Sequence, residues 1–472
     1  MTDPGVVPPP GAYSPQRRTA LLLTGTGTAG VYHAGVLRAL HEAGIKLDVV
    51  AGRGIGAVGV LFAAVDGAQR LWEEHGFWRA PAAQFLYPWR SSLVLAARAG
   101  ALSMALVLVP LLAMAAGLVV FPIDFLLKMV GVSSAEGLTS WYVRFAERAF
   151  APDQLPTLLP RMVLLVLGTA VIVAAVNGYW RGGGRRPNGA FWWRLVPGPV
   201  SAGPAIDRCW SVLWDLVRGA ASLKSPSRTD LVRRYVELLS DNLGQPGFRE
   251  LVIVAHDVDA GRDLVFALVS EARRQHLVRR VRPEDTEARR AEVFDLSGVS
   301  RDHLADAVAG ALTLPLASDC HRMLTAPDGY WRGERHRLAD RPGSLVRLVE
   351  ELADLGVEQI LIVSAAAPSQ GPHQLAAPRI DGRGRIGEYL QSAEAAAVRD
   401  VRMWTGKAGP RLWAISPAPN PIGPFDFAGG FDDRSGRRSD LSELMARGYE
   451  DAYHQFIEPV VGAGADADEA TR

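Results

Sequence analysis

Two glycine-dense turns carry the chemistry this sequence could perform. Gly25-x-Gly27-x-x-Gly30 and Gly52-Arg53-Gly54-Ile55-Gly56 each stand between a short apolar run and a helical pattern. In the first, small residues let the backbone turn tightly and aim successive N–H groups at an anion near a helix N-terminus. Gly25, Thr26, Gly27 and Gly30 therefore read as an oxyanion or anion-binding loop. The second has the spacing of a nucleophile elbow, G-x-S-x-G, with Gly54 where the serine would stand. Gly54 offers no hydroxyl, and glycine relieves the strain of about 1–3 kcal/mol that a side-chain-bearing residue meets at such a turn. A dinucleotide site would use the first glycine set too, but it needs an acid at the end of the second strand, and Asp48 precedes that strand.

The elements that must position these turns follow from periodicity. TALLLT from Thr19 has strand length, VYHAGVLRALHEAG has helical spacing and closes at Gly44, LDVVAG is a second strand, and AVGVLFAAVDG a helix ending at Gly67. Strand, turn and helix twice over predict an α/β sheet. The pattern resumes late in the chain. FRELVIVAHDVDAGRDLVFALV alternates like two strands around Asp259-Ala260-Gly261, and HLADAVAGALTLP reads as a helix ending near Pro315. GSLVRLVEELADLG is an amphipathic helix, EQILIVSAAAP a buried parallel-type strand, and SDLSELMARGYEDAYHQFIEPVV a terminal helix.

Between these blocks lie two apolar stretches, 99–123 and 162–180, each long enough to cross a ~30 Å hydrocarbon core, with Pro110 expected to kink the first. Arg79, Arg90 and Arg98 precede the pair and Arg181, Arg185, Arg186 and Arg194 follow it. The intervening segment, read as a loop, mixes Lys128, Arg144, Arg148 and Arg161 with Asp124, Glu136, Glu147 and Asp153. The excess of outer arginines predicts a membrane hairpin with both main halves of the chain in the cytoplasm, and Trp89, Tyr179, Trp180, Trp192 and Trp193 near its ends suit an aromatic belt. The expected organisation is a disordered tail at 1–16, a first half-domain at 17–78, a helical insertion at 79–200, a second half-domain at 201–458 and a tail at 459–472.

LLLTGTGTAGVYHAGVLRALHEAGI followed by LDVVAGRGIGAVGV resembles the N-terminal region of the bacterial patatin-like phospholipases, with their glycine-rich oxyanion loop and GTSIGA-like elbow. Beyond the insertion, LVIVAHDVDAGRDLVFALV looks like that family's paired strands and LADAVAGALTLPL like its helix and proline turn. The resemblance implies a three-layer α/β sandwich around a mainly parallel sheet, interrupted here by the helical, membrane-inserting hairpin. It also implies a Ser-Asp dyad: the serine falls on Gly54, and aligning PDGYWRGE with the family's tyrosine-led strand puts Arg332 at the dyad aspartate. An arginine cannot accept a proton. What the resemblance then implies is a catalytically inactive, membrane-associated homologue of a lipid acyl hydrolase that retains lipid or anion binding. The alternative is an active phospholipase or acyl-ester hydrolase with a displaced nucleophile: Thr24, Thr26, Thr28 or Ser364, with His33, Asp257 or Asp340 as base. His33 reads more simply as a packing residue and Asp257 and Asp259 as turn supports.

Composition sets the outer bounds. With 51 basic and 50 acidic residues and 48% hydrophobic ones, the chain is neither a disordered polyelectrolyte nor a polybasic nucleic-acid binder. Cys209 and Cys320 are far apart and outside any metal-spaced motif, so neither a disulfide framework nor a zinc site is expected. No cofactor is expected. The expected partner is membrane lipid or a fatty acid, or alternatively an unidentified protein, and not nucleic acid.

Overall fold

The computed structural model describes residues 13–131, 136–181, 198–278, 291–368, 379, 381–404, 409–432 and 435–462. The chain divides into two compact units, Met1–Pro88 with Ser201–Arg472, and Trp89–Val200.

The first unit is built on strands β1 (Thr19–Thr24), β2 (Val49–Gly52), β3 (Glu250–Asp257), β4 (Arg262–Leu268), β5 (Val293–Asp295), β6 (His321–Leu324), β7 (Arg335–Ala339), β8 (Gln359–Ser364) and β9 (Arg411–Ile415). The sheet runs β5-β4-β3-β2-β1-β8-β9, with β7 joined to β3 and β6 to β7. Its centre is parallel: Leu22 of β1 faces Ala51 of β2 and Ile362 of β8. Every residue of β1, β2 and β8 is buried. Strands covered on both faces must read as unbroken apolar runs, which is why TALLLT and QILIVS show no alternation.

The covering helices of this unit are α1 (Ala29–Glu42) and α2 (Gly56–Ala63) from the first block of chain, with α6 (Gly203–Arg218), α7 (Arg228–Asn242), α8 (Glu271–Val278), α9 (Leu304–Leu312), α10 (Ser344–Asp354), α11 (Gly382–Trp404) and α12 (Leu441–Ala452) from the second; α3 to α5 belong to the other unit. On one face Leu22, Ala51, Val252 and Val254 pack with Leu345, Leu348, Val349 and Leu352 of α10 and with Ala397 and Val401 of α11. The α10 positions recur at i, i+3, i+4 and i+7, one stripe of a helix. On the other face Leu23 meets α1 and α2: a methyl added to Gly59 would stand 2.5 Å from Leu23 Cδ1 and 3.7 Å from Leu37 Cδ1. The result is a helix–sheet–helix sandwich.

The second unit consists of α3 (Ser91–Met129), α4 (Glu136–Phe150) and α5 (Leu155–Arg181). The stretch between the apolar segments, expected as a loop, holds the end of α3 and all of α4. Helix α3 also continues through both Pro110 and Pro122. The unit holds two helical stretches long and apolar enough to cross a membrane, by length and composition. Large apolar side chains on them face outward, among them Leu118 (81% exposed) and Leu164 (70%).

Three boundaries differ from the expectation. Residues 79–88 belong to the α/β unit: Leu86 and Tyr87 are buried, and the Tyr87 hydroxyl donates to the Leu312 carbonyl at 3.0 Å. Of the expected N-terminal tail, Tyr13 is buried with its hydroxyl 3.1 Å from the Lys46 carbonyl, and Ser14 N donates to Gln359 Oε1 at 3.0 Å. Residues 1–12 lie outside the described ones, as do 463–472 of the expected C-terminal tail and Arg185, Arg186, Arg194, Trp192 and Trp193 of the expected outer flank. A short helical segment, Tyr453–Gly462, forms the C-terminal end of the described chain and runs past the expected boundary at 458.

The ends of the α/β unit at the insertion meet, since Ser201 N donates to the Pro88 carbonyl at 3.0 Å. Replacing Trp89–Val200 by a short Gly/Ser linker is therefore expected to leave a cooperatively melting protein that is soluble without detergent. Circular dichroism and a thermal melt check this; loss of the cooperative transition would show that the insertion is needed to fold the sandwich.

Candidate functional site

The carboxyl ends of β1, β2 and β8 lie side by side, with Leu23 facing Gly52 and Thr24 facing Ser364. Ligands in open α/β sheets gather at such an edge. Both glycine turns leave from it, the Gly25–Thr28 loop into α1 and the Arg53–Ile55 turn into α2. The two turns also touch, because Ile55 N donates to the Gly25 carbonyl at 3.0 Å.

Gly54 has φ +56°, the left-handed backbone of an elbow. A Cβ built there would lie 2.2 Å from the Gly25 carbonyl oxygen and 2.9 Å from Asp340 Oδ2. The carboxylate beside the elbow is thus Asp340, the first residue after β7, with its own N–H bonded to the Thr313 carbonyl at 2.9 Å. This corrects the placement of Arg332. Arg332 lies in the exposed β6–β7 turn at φ +45°, and the five residues of β7, about 17 Å of strand, separate it from Asp340. The motif lead PDGYWRGE supplies a hairpin turn, and the acid comes at the other end of the strand it opens.

Asp340 has one carboxylate oxygen engaged in a buried ion pair. Its Oδ1 accepts from Arg53 Nη1 at 2.6 Å, and Arg53 Nη2 pairs with Glu394 of α11. The three side chains are 0%, 1% and 4% exposed. Thr24 donates its hydroxyl to the same Glu394 carboxylate. Burial raises the Asp340 carboxyl above its ordinary value, and the Arg53 guanidinium opposes that rise. A fully buried arginine inside the elbow-like turn is thus held between a carboxylate just after β7 and one from α11. The sequence reading missed Arg53 and Glu394. Arg53 was visible inside the motif, whereas Glu394 lies on a helix that gave no motif signal.

The other candidate hydroxyls and bases stand as follows. Thr28 donates to the Gly423 carbonyl at 2.8 Å, and Ser364 Oγ accepts from Ala366 N at 3.2 Å. Thr26 is 7% exposed and stands beside Asp340. His33 is fully buried, with Nε2 3.1 Å from the Thr24 carbonyl, and burial lowers its pKa to about 4. A carbonyl partner makes that Nε2 the protonated nitrogen. Asp257 accepts from His336 Nδ1 at 2.6 Å and from Asp259 N at 2.9 Å, and Asp259 pairs with Arg337 at 2.6 Å.

The glycine loop is covered from outside by Pro424. Thr28 N donates to its carbonyl at 3.0 Å, and a Cβ on Gly27, at φ +58°, would come within 1.8 Å of that oxygen. Gly30 is closed in the same way by the Trp78 ring, 2.2 Å from where its Cβ would be. What remains is a cavity of about 20 Å³ lined by Gly25, Thr26, Ala365, Glu394, Asn420 and Pro424 among others. That is room for one water molecule. Among the described residues, no group of three His, Cys, Asp or Glu is placed to hold a metal ion.

A glycine loop, an elbow-like turn at Gly54 and the Asp340 carboxylate thus meet at the carboxyl edge of a parallel sheet. The family model of the patatin-like phospholipases matches residues 21–108. The mouse, Pongo abelii and human proteins named patatin-like phospholipase domain-containing protein 6 are each 40% identical to the chain over 70 residues. That is 15% of this chain, which spans only 5% of the length of those relatives. Among solved structures, VipD from Legionella pneumophila aligns over 94% of this chain and 67% of its own, at 13% identity and a TM-score of 0.31, a likeness too distant to carry an argument.

Proposed function

We propose that the chain is a catalytically silent patatin-like protein held at a membrane by its Trp89–Val200 unit. The observation that carries the first half is the space at Gly54. It has no hydroxyl, it has no volume for a Cβ between the Gly25 carbonyl and Asp340, and the acid beside it is bonded to Arg53. The apolar outward faces of α3 and α5 support the second half. The excess of arginine outside the apolar pair supports a cytoplasmic α/β unit.

Lipid contact is assigned here to the apolar helices. The glycine loop could hold a carboxylate or phosphate headgroup only if the segment around Pro424 withdrew, because Pro424 already takes the Thr28 amide. A second reading rests on Thr26, the one loop hydroxyl beside Asp340. It makes the protein a hydrolase with a displaced nucleophile.

The purified full-length protein is expected to show no turnover of long-chain acyl esters and no labelling by fluorophosphonates. Labelling that maps to Thr26 and disappears in Thr26→Val would establish the second reading instead. The membrane half is checked by carbonate washing of a membrane fraction, which is expected to leave the protein in the pellet; full release would refute it.

A further inference from the structure

Three side chains meet behind the two glycine turns, and their charges do not balance. Arg53 stands between Asp340 and Glu394, one guanidinium against two carboxylates, and none of the three is more than 4% exposed. Two other ionisable groups face them, His33 toward Arg53 and Tyr87 toward Asp340, and neither adds positive charge. Burial lowers the His33 imidazole to about 4 and raises the Tyr87 hydroxyl above its ordinary value, so both are neutral at pH 7. Arg341 follows Asp340 in the chain, but its guanidinium is 52% exposed and turns to Asp263 at 3.8 Å. Thr24 brings Glu394 a hydroxyl, which carries no charge. One formal negative charge is left inside the α/β unit. The N-termini of α1 and α2 at this edge lessen its cost without supplying a counter-ion. A buried charge is otherwise paired, bound to an ion or neutralised.

The oxygens around the cluster suit an ion. The water-sized cavity beside it is lined by Glu394 together with Thr26, Thr28, Gln391 and Asn420, whose side chains carry hydroxyl and amide oxygens. Asp340 Oδ2 is buried and finds no hydrogen bond among the described residues. It lies 2.9 Å from the point where a Gly54 Cβ would stand, and the carbonyl oxygen of Gly25, which also lines the cavity, lies 2.2 Å from the same point. Carboxylate, hydroxyl, amide and carbonyl oxygens are the ligands of hard cations. No third acidic or imidazole group joins them to make a site of higher charge among the described residues. A single positive charge balances the cluster, whereas a divalent ion would reverse its sign.

We propose that this cavity binds a monovalent cation, potassium or sodium, on the Glu394 carboxylate, where it neutralises the Arg53–Asp340–Glu394 cluster and ties α11 to the two glycine turns. The test compares thermal melts of the detergent-solubilised full chain in potassium, sodium and choline chlorides at equal concentration, since choline is too large for a water-sized cavity. The midpoint is expected to be higher in potassium or sodium than in choline by about 2 °C or more. Glu394→Gln removes the surplus charge and is expected to melt alike in all three salts. Rubidium soaked into crystals of the wild type gives a second readout that needs no variant, an anomalous peak expected beside Glu394. Equal wild-type midpoints in the three salts, a cation-specific shift that persists in Glu394→Gln, or rubidium bound only elsewhere would each overturn the proposal. Equal midpoints that fall together as pH rises from 5 to 8 would overturn it in favour of a proton as the neutralising charge.

Discussion

A Gly54→Ser variant is expected to lose stability on the order of 3 kcal/mol and to gain no hydrolysis. Two costs combine: a side chain forced into the left-handed φ of +56°, and a Cβ 2.2 Å from a backbone carbonyl that is itself bonded to Ile55 N. Neither neighbour yields easily, because the Gly25 carbonyl belongs to the loop and Asp340 is pinned by Arg53. Adding Arg332→Asp is expected to change nothing at the site, since that residue lies in an exposed turn at the far end of β7. Denaturant melts of the detergent-solubilised protein, with fluorophosphonate labelling of the same samples, read both parts. A Gly54→Ser protein that melts with the wild type, or that takes the label, would show that the elbow is still open.

The largest loss is expected for Arg53→Met, about 3–5 kcal/mol, because removing one member of a buried charge network strands the others. Asp340 and Glu394 would be left facing each other's field without their cation. The deficit should depend on pH in a determined sense. Burial already raises the Asp340 carboxyl above its ordinary value, with Arg53 opposing, so without Arg53 it rises further. A carboxyl raised above its unfolded value, near 4, contributes stability that is full below that value and lost as pH climbs through the folded one. The variant should therefore approach the wild type at pH 5 and fall furthest behind at pH 8. Combining Arg53→Met with Asp340→Asn and Glu394→Gln is expected to recover much of the loss, since neutral groups no longer need the cation. A flat pH profile, or no recovery in the triple variant, would mean that Arg53 contributes by packing alone.

On the function proposed above, these two effects would explain how the scaffold persists without a nucleophile. In an active elbow the acid is kept for the serine. Here Arg53 joins the elbow, the end of β7 and α11 through one guanidinium. The guanidinium is a structural tie between these three elements.

Much of the sandwich was legible along the chain because its determinants are local. β1, β8 and the α10 stripe declare themselves by periodicity, and the turns at Gly25–Gly27 and Gly54 by glycines whose left-handed φ values the fold requires. The glycine at the middle of the elbow-like turn was equally local: one residue in one turn. Tertiary structure decided the rest, for a reason that the same residues show. Asp340 and Arg332 both follow the same sequence lead, and only the β3–β7 pairing of His256 with Ala339 tells which of them comes back to the elbow. Glu394 reaches Arg53 across 341 residues of chain, and Pro424 seals Gly27 from a loop without any motif. Helix α4 was read as a loop because its charges interrupt the apolar run, yet Tyr142 docked on Gly117 gives it a packed face. Turn chemistry and periodicity act within a few residues, whereas the partner of a buried charge is chosen by whichever distant segment the packed sheet brings within a hydrogen bond of it.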